Sequence, residues 1–208
     1  MIAVICGPAA GVPPLNANSS PLVLVYRIDA GDRISCLNPA WTEFARANQG
    51  EAVLPEQVLG SRLLDAVADQ TVRMLYTAMI KRARTGAPVM FRYRCDAPDR
   101  RRTFQMNIRL LPGGEVEFAS TLLHEEPRPA VALLQPKAPR DERLLRVCSW
   151  CQRIALPDKT WVPVETAVDA LHLLAAETFP RLTHGICEAC RAKWEQESGI
   201  GARLGAEG

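Results

Sequence analysis

Two cysteine pairs carry the clearest chemistry in the chain: Cys148 and Cys151 in VCSWCQRI, and Cys187 and Cys190 in GICEACRAKWEQE. A CxxC turn lets two sulfurs from one tight bend reach the same ion, and two such turns supply the four ligands of a closed tetrahedral zinc site. Other chemistries compete for the same residues. A thioredoxin-like dithiol sits between the strand and helix of a βαβ unit, and neither pair has that setting. A disulfide framework fits poorly with a total of seven cysteines, of which Cys6, Cys36 and Cys95 are scattered. Reduced, non-ligating pairs would bury thiols with nothing to compensate them. The expectation is therefore one structural zinc ion on Cys148, Cys151, Cys187 and Cys190, whose binding is tied to folding. Four thiolates leave no open coordination position, so no reaction is expected at the metal.

His184, three residues before Cys187, is either a replacement ligand or a donor to a thiolate. With four sulfurs available, the supporting role outside the ligand set is the expected one. Trp150, Trp161 and Trp194 are expected to form a miniature core around the metal. Cys95, in YRCDAPDRR, is a redox candidate if its thiol is exposed and acidified by Arg94 or Arg100, and otherwise a small strand residue. Arg100, Arg101 and Arg102 raise nucleic-acid binding as an alternative, but Asp96 and Asp99 precede them and basic and acidic residues nearly balance on both sides of the proline-rich stretch. A phosphate-tracking module needs a stronger positive footprint. The run reads as a solvated turn or a partner contact. His172 and Glu165 flank a helix without an activated serine, a phosphate-cradling loop or a metalloenzyme motif beside them, so no enzyme is expected.

The elements that position these residues follow from periodicity. LVLVYRID and RISCLN are strand-like around an Ala-Gly-Asp turn, and Asn38-Pro39 starts a helix with Trp41, Phe44 and Ala45 on one side. Short helices are expected near Pro55 to Val58 and Arg62 to Val67. Val72, Leu75, Tyr76, Met79, Ile80 and Ala83 recur at spacings of three and four, the pattern of an amphipathic helix ending near Gly86. Three strands follow, at 89–97, 102–111 and 116–124, the last two joined through Pro-Gly-Gly. Two strands, helices, then three strands without crossovers imply an α+β fold with one antiparallel sheet and helices on one side. Residues 127–143, with four prolines, read as a linker, and 144–198 as a small module. There Ile154 and Trp161 flank the turn of a hairpin, VPVETAVDALHLLA forms a helix, and the second cysteine pair begins another. A hairpin and a helix around zinc give a treble-clef-like arrangement. Residues 1–20 are a variable segment and 199–208 a tail.

With that order in place, residues 22–124 resemble a PAS-type sensor domain. YRIDAGDRISCLNPAWTEFARANQG is similar to the family's opening, and VLGSRLLDAV and FRYRCDAPDRRRTFQMNIRLLPGGEVEFASTLL are similar to a variant in short bacterial PAS proteins. CSWCQRIALPDKTWVPVETAV with LTHGICEAC resembles the cysteine-rich tail of bacterial signalling proteins, Glu188 standing where the tail usually has proline.

The resemblance implies a PAS-like sensor domain over 21–126, a regulatory protein partner, a small-molecule ligand in the PAS-like pocket, and a homodimer through the N-terminal segment or the sheet face. PAS relatives also hold haem or flavin. Haem needs an axial ligand and the central helices carry no histidine, His124 lying near the end of the last strand; the Asn-Cys-Arg-Phe helix of flavin relatives is missing. Neither cofactor is expected. The chain has 208 residues, 48% of them hydrophobic, and a formal charge of +2. Its apolar runs are too short for a membrane span and its opening lacks a signal peptide's basic flank, so a cytoplasmic, membrane-free protein is expected.

Overall fold

A computed structural model describes residues 21–198; the N-terminal segment with Cys6 and the tail lie outside the described residues. Alternation of inward apolar and outward polar residues builds the first sheet. Leu24, Tyr26 and Ile28 of β1 (Val23–Ile28) point inward, as do Phe104, Met106 and Ile108 of β4 (Arg100–Leu110) and Phe91 and Tyr93 of β3 (Val89–Arg94). With β2 (Ile34–Leu37) and β5 (Val116–Pro127) they form five strands in the order β2-β1-β5-β4-β3, each antiparallel to its neighbour. Gly113 and Gly114 take φ of 99° and 91° in the turn between β4 and β5, a region that side chains disfavour.

The segment between β2 and β3 is helical for reasons visible residue by residue. Asn38 caps α1 (Pro39–Ala47): its Oδ1 accepts from the Trp41 N–H at 2.9 Å and the Val25 N–H at 3.0 Å, while its Nδ2 donates to the Val23 carbonyl at 2.8 Å. The cap thus also ties the helix to β1. After α2 (Pro55–Val58) and a short 3-10 turn at Leu63–Ala66, Asp69 caps α3 (Gln70–Arg84), accepting from the Val72 N–H at 2.9 Å. All six apolar residues of the α3 stripe are buried, so this α+β layer buries its helices on one face of the sheet. Its interior is filled by rings: Tyr26 stacks on Phe118 at 4.5 Å, Tyr76 lies 6.4 Å from Phe118, and Phe104 meets Phe44 and Tyr93 at 5.9 and 5.6 Å.

The second sheet comprises β6 (Arg140–Cys148), β7 (Ile154–Ala155), β8 (Trp161–Val162) and β9 (Phe179–Gly185), ordered β8-β7-β6-β9. β9 runs parallel to β6, with α4 (Val164–Ala170) in the crossover; α5 (Glu188–Ser198) follows. Here the expected linker differs from what is found. Val131, Leu133 and Leu134 are buried in a core with Leu145, Val147, Ile154 and Phe179, and β6 already begins at Arg140. Prolines punctuate this stretch without freeing it, because its apolar residues have a surface to cover. The second cysteine module is equally undetached: Cys148, Trp150, Ile186, Cys187 and Trp194 belong to the same hydrophobic core as the five-stranded sheet.

Candidate metal centre

The first cysteine pair sits on a tight bend at the end of β6. Cys148 donates its N–H to the Arg153 carbonyl at 2.8 Å, and its own carbonyl accepts from Gln152, whose φ is 60°. The parallel register Val147 to His184 and Cys148 to Gly185 brings the end of β9 beside this bend, and the Ser149 N–H donates to the Gly185 carbonyl at 2.8 Å. Cys187 lies two residues past the end of β9 and immediately precedes α5. Its sulfur accepts from the Cys190 N–H at 3.4 Å, and its own N–H donates to the Cys148 sulfur at 3.4 Å. Backbone donors at a helix start favour a thiolate there.

All four Sγ atoms lie within 4.8 Å of one another, and Cys151 and Cys187 stand 3.8 Å apart. Zinc–sulfur bonds of about 2.3 Å in a tetrahedron place the sulfurs about 3.8 Å apart, so the donor set fits a metal of that preference. Four crowded thiols without a cation conflict electrostatically. Cys148 is held well below the usual thiol range by hydrogen bonds from Cys151 and Cys190, and those two are held above it by the same contacts. A divalent cation resolves the conflict by letting all four ionise. Cys148 and Cys187 are buried, and Cys151 and Cys190 half-buried.

His184 sits on β9, paired in register with Val147. Burial pushes its imidazole down to about 4, and the N–H donors that reach the sulfurs come from the backbone of Cys187 and Cys190. Cys95 is buried at the end of β3, its N–H donating to the Arg102 carbonyl at 3.1 Å. Arg94 is engaged by Asp96 and Arg100 by Glu125. The arginine run is not a solvated turn. It opens β4, and each of its guanidiniums meets carboxylates of this chain: Arg100 and Arg102 reach Glu125, at 3.0 and 2.6 Å, and Arg101 reaches Glu126 and Glu165, at 3.4 and 2.7 Å. Arg102 is fully buried, also donates to Asn48 at 2.8 Å and lies over the Phe44 ring.

A polar junction went unforeseen. Arg128 and Asp96, both nearly or fully buried, pair at 3.2 Å, and Arg128 also reaches Glu165 of α4 at 3.4 Å. With Arg101 it ties the five-stranded sheet to the second unit. The closely spaced charges in CDAPDRRR signalled only that some would pair locally; the partner Glu165 lies in another element. The Trp150 ring packs 5.7 Å from Phe91 of β3, a contact across the same junction.

No family model matches the chain, and no curated protein matches it. Solved structures are similar over part of it. A domain of an HTR-like protein from Haloarcula marismortui is 10% identical with a TM-score of 0.36, over 49% of this chain and 98% of that one. A fungal LOV domain photoreceptor is 14% identical with a TM-score of 0.30, over 56% of this chain and 81% of that one. Similarity at this level leaves fold and site to be argued from the chain itself. Among the described residues no helix is long and apolar enough to cross a membrane.

Proposed function

We propose that this chain is a non-catalytic sensory or regulatory protein, in which a PAS-like domain and a structural zinc module together bind another protein. The observation that carries the reading is the four-sulfur cluster packed into the same hydrophobic core as the five-stranded sheet. The PAS-like assignment is supported by two strands, a helical segment and three strands closing one antiparallel sheet with helices on one face. The treble-clef-like description is supported by a knuckle at Cys148 and Cys151 facing a helix that starts just after Cys187. Four thiolates saturate zinc, which gives the metal a structural role.

Two other readings lose their footing. Nucleic-acid binding through Arg100 to Arg102 needs those guanidiniums for phosphates, and all three are occupied by carboxylates of this chain. A redox role for Cys95 needs a thiol open to oxidants, and this one is buried. The test is affinity capture from the native host with zinc-loaded and metal-stripped protein, followed by binding measurements with the purified partner. A regulatory protein held by the zinc-loaded form and released on stripping is the expected result; no partner in either form contradicts the reading.

A further inference from the structure

β3 is an edge strand of its sheet, and the cysteine module stands beside it. Between them lies a groove of about 470 Å³ whose walls include Met90, Arg92, Gln105, Trp150, Lys193 and Trp194. The Arg94 N–H turns outward from the sheet and is taken by the Trp150 carbonyl at 2.8 Å, whereas the Cys95 N–H turns inward to Arg102. Alternation along an antiparallel strand therefore turns the N–H groups of Arg92 and Met90 outward too. Among the described residues nothing pairs with them, and the Met90 side chain is 63% exposed. Trp150 and Trp194 contribute ring surface to the groove's wall. Among the described residues the groove's wall contains no carboxylate and Arg92 makes no ion pair.

We propose that this groove docks an extended peptide segment of a partner protein that carries one acidic side chain. Main-chain carbonyls accept from the outward N–H groups of β3, as in addition of a strand to a sheet edge, and the peptide packs on the two tryptophan rings. The carboxylate pairs with Arg92. Cys151 and Cys190 also face the groove, and metal-bound thiolates there oppose an excess of negative charge. A single acidic residue on an otherwise neutral chain satisfies both demands. The proposal rests on the reading of the chain as a protein-binding regulator and names its surface.

The probe is a displayed library of random linear peptides selected on the full-length zinc-loaded protein, with binding remeasured on Met90→Pro and Arg92→Glu. Proline on an edge removes one outward donor while leaving the inward pairing intact, and retained zinc confirms folding of each variant. Enrichment of acidic, β-branched sequences whose affinity falls about tenfold or more in each variant is expected. No enrichment, or enriched peptides that bind both variants as well as the parent, overturns the proposal. A native partner that still binds both variants leaves the regulatory reading standing and removes only the groove.

Discussion

The backbone N–H of Arg94 donates to the carbonyl of Trp150 at 2.8 Å, so one of the two residues between the cysteines of the first pair caps the edge strand of the sheet. One bond joins the cysteine knuckle to the strand at the border of the five-stranded sheet. Folding of the cysteine cluster and ordering of that edge are thereby coupled.

Stripping the metal should loosen β3 as well as the knuckle. Losing one backbone bond removes about 1 kcal/mol, so amide exchange at Arg94 is expected to accelerate by roughly fivefold or more. Hydrogen exchange on the zinc-loaded and chelated chain reads this directly; unchanged protection at Arg94 would show that the edge holds without the metal.

Arg102→Met should destabilise the chain by about 3 kcal/mol, because it leaves Glu125 buried with Arg100 as its remaining partner and releases Asn48 at the end of α1. Denaturant unfolding measures the loss. A cost near zero would mean that the buried pair contributes register without net stability.

Asn38→Ala should cost about 2 kcal/mol, more than an ordinary helix cap, since the same amide also bonds two backbone groups of β1. Asn38→Ser keeps an acceptor for the helix start without setting an oxygen against the Val23 carbonyl, and should recover part of that loss. If Ser behaves no better than Ala in thermal unfolding, the cap explanation fails.

The depressed His184 imidazole sets a pH dependence. Its folded value of about 4 lies below the ordinary value near 6.5, so the unfolded chain binds the extra proton first. Stability from this group is present above pH about 6.5 and declines as pH falls toward about 4. The difference in unfolding midpoint between wild type and His184→Gln should vary across that window; a constant difference excludes a contribution from the histidine.

Much of the first layer was legible because its signals are local. The alternation in β1, the stripe on α3 and the Asn38-Pro39 start each specify an element without reference to the rest of the chain. The cysteine spacing likewise identified the cluster, since CxxC constrains its sulfurs within one bend. What escaped was nonlocal. β6 reads RDERLLRVC, with charges on positions that face solvent, and its parallel partner β9 lies beyond α4, so neither strand announces the other. Residues 127–143 look like a linker by their prolines, and only the surface buried by Leu133 shows otherwise. The arginine run looked solvated because its partners, Glu125 and Glu165, arrive from β5 and α4.

We propose that Cys148, Cys151, Cys187 and Cys190 hold one metal ion within the same folded unit as the sheet. X-ray absorption on the purified chain, with metal quantified per protein, tests it most directly. One zinc per chain with four sulfur ligands at about 2.3 Å is predicted. A metal-free chain that stays fully folded after strong chelation, or an ion bound by nitrogen and oxygen instead of four sulfurs, contradicts it.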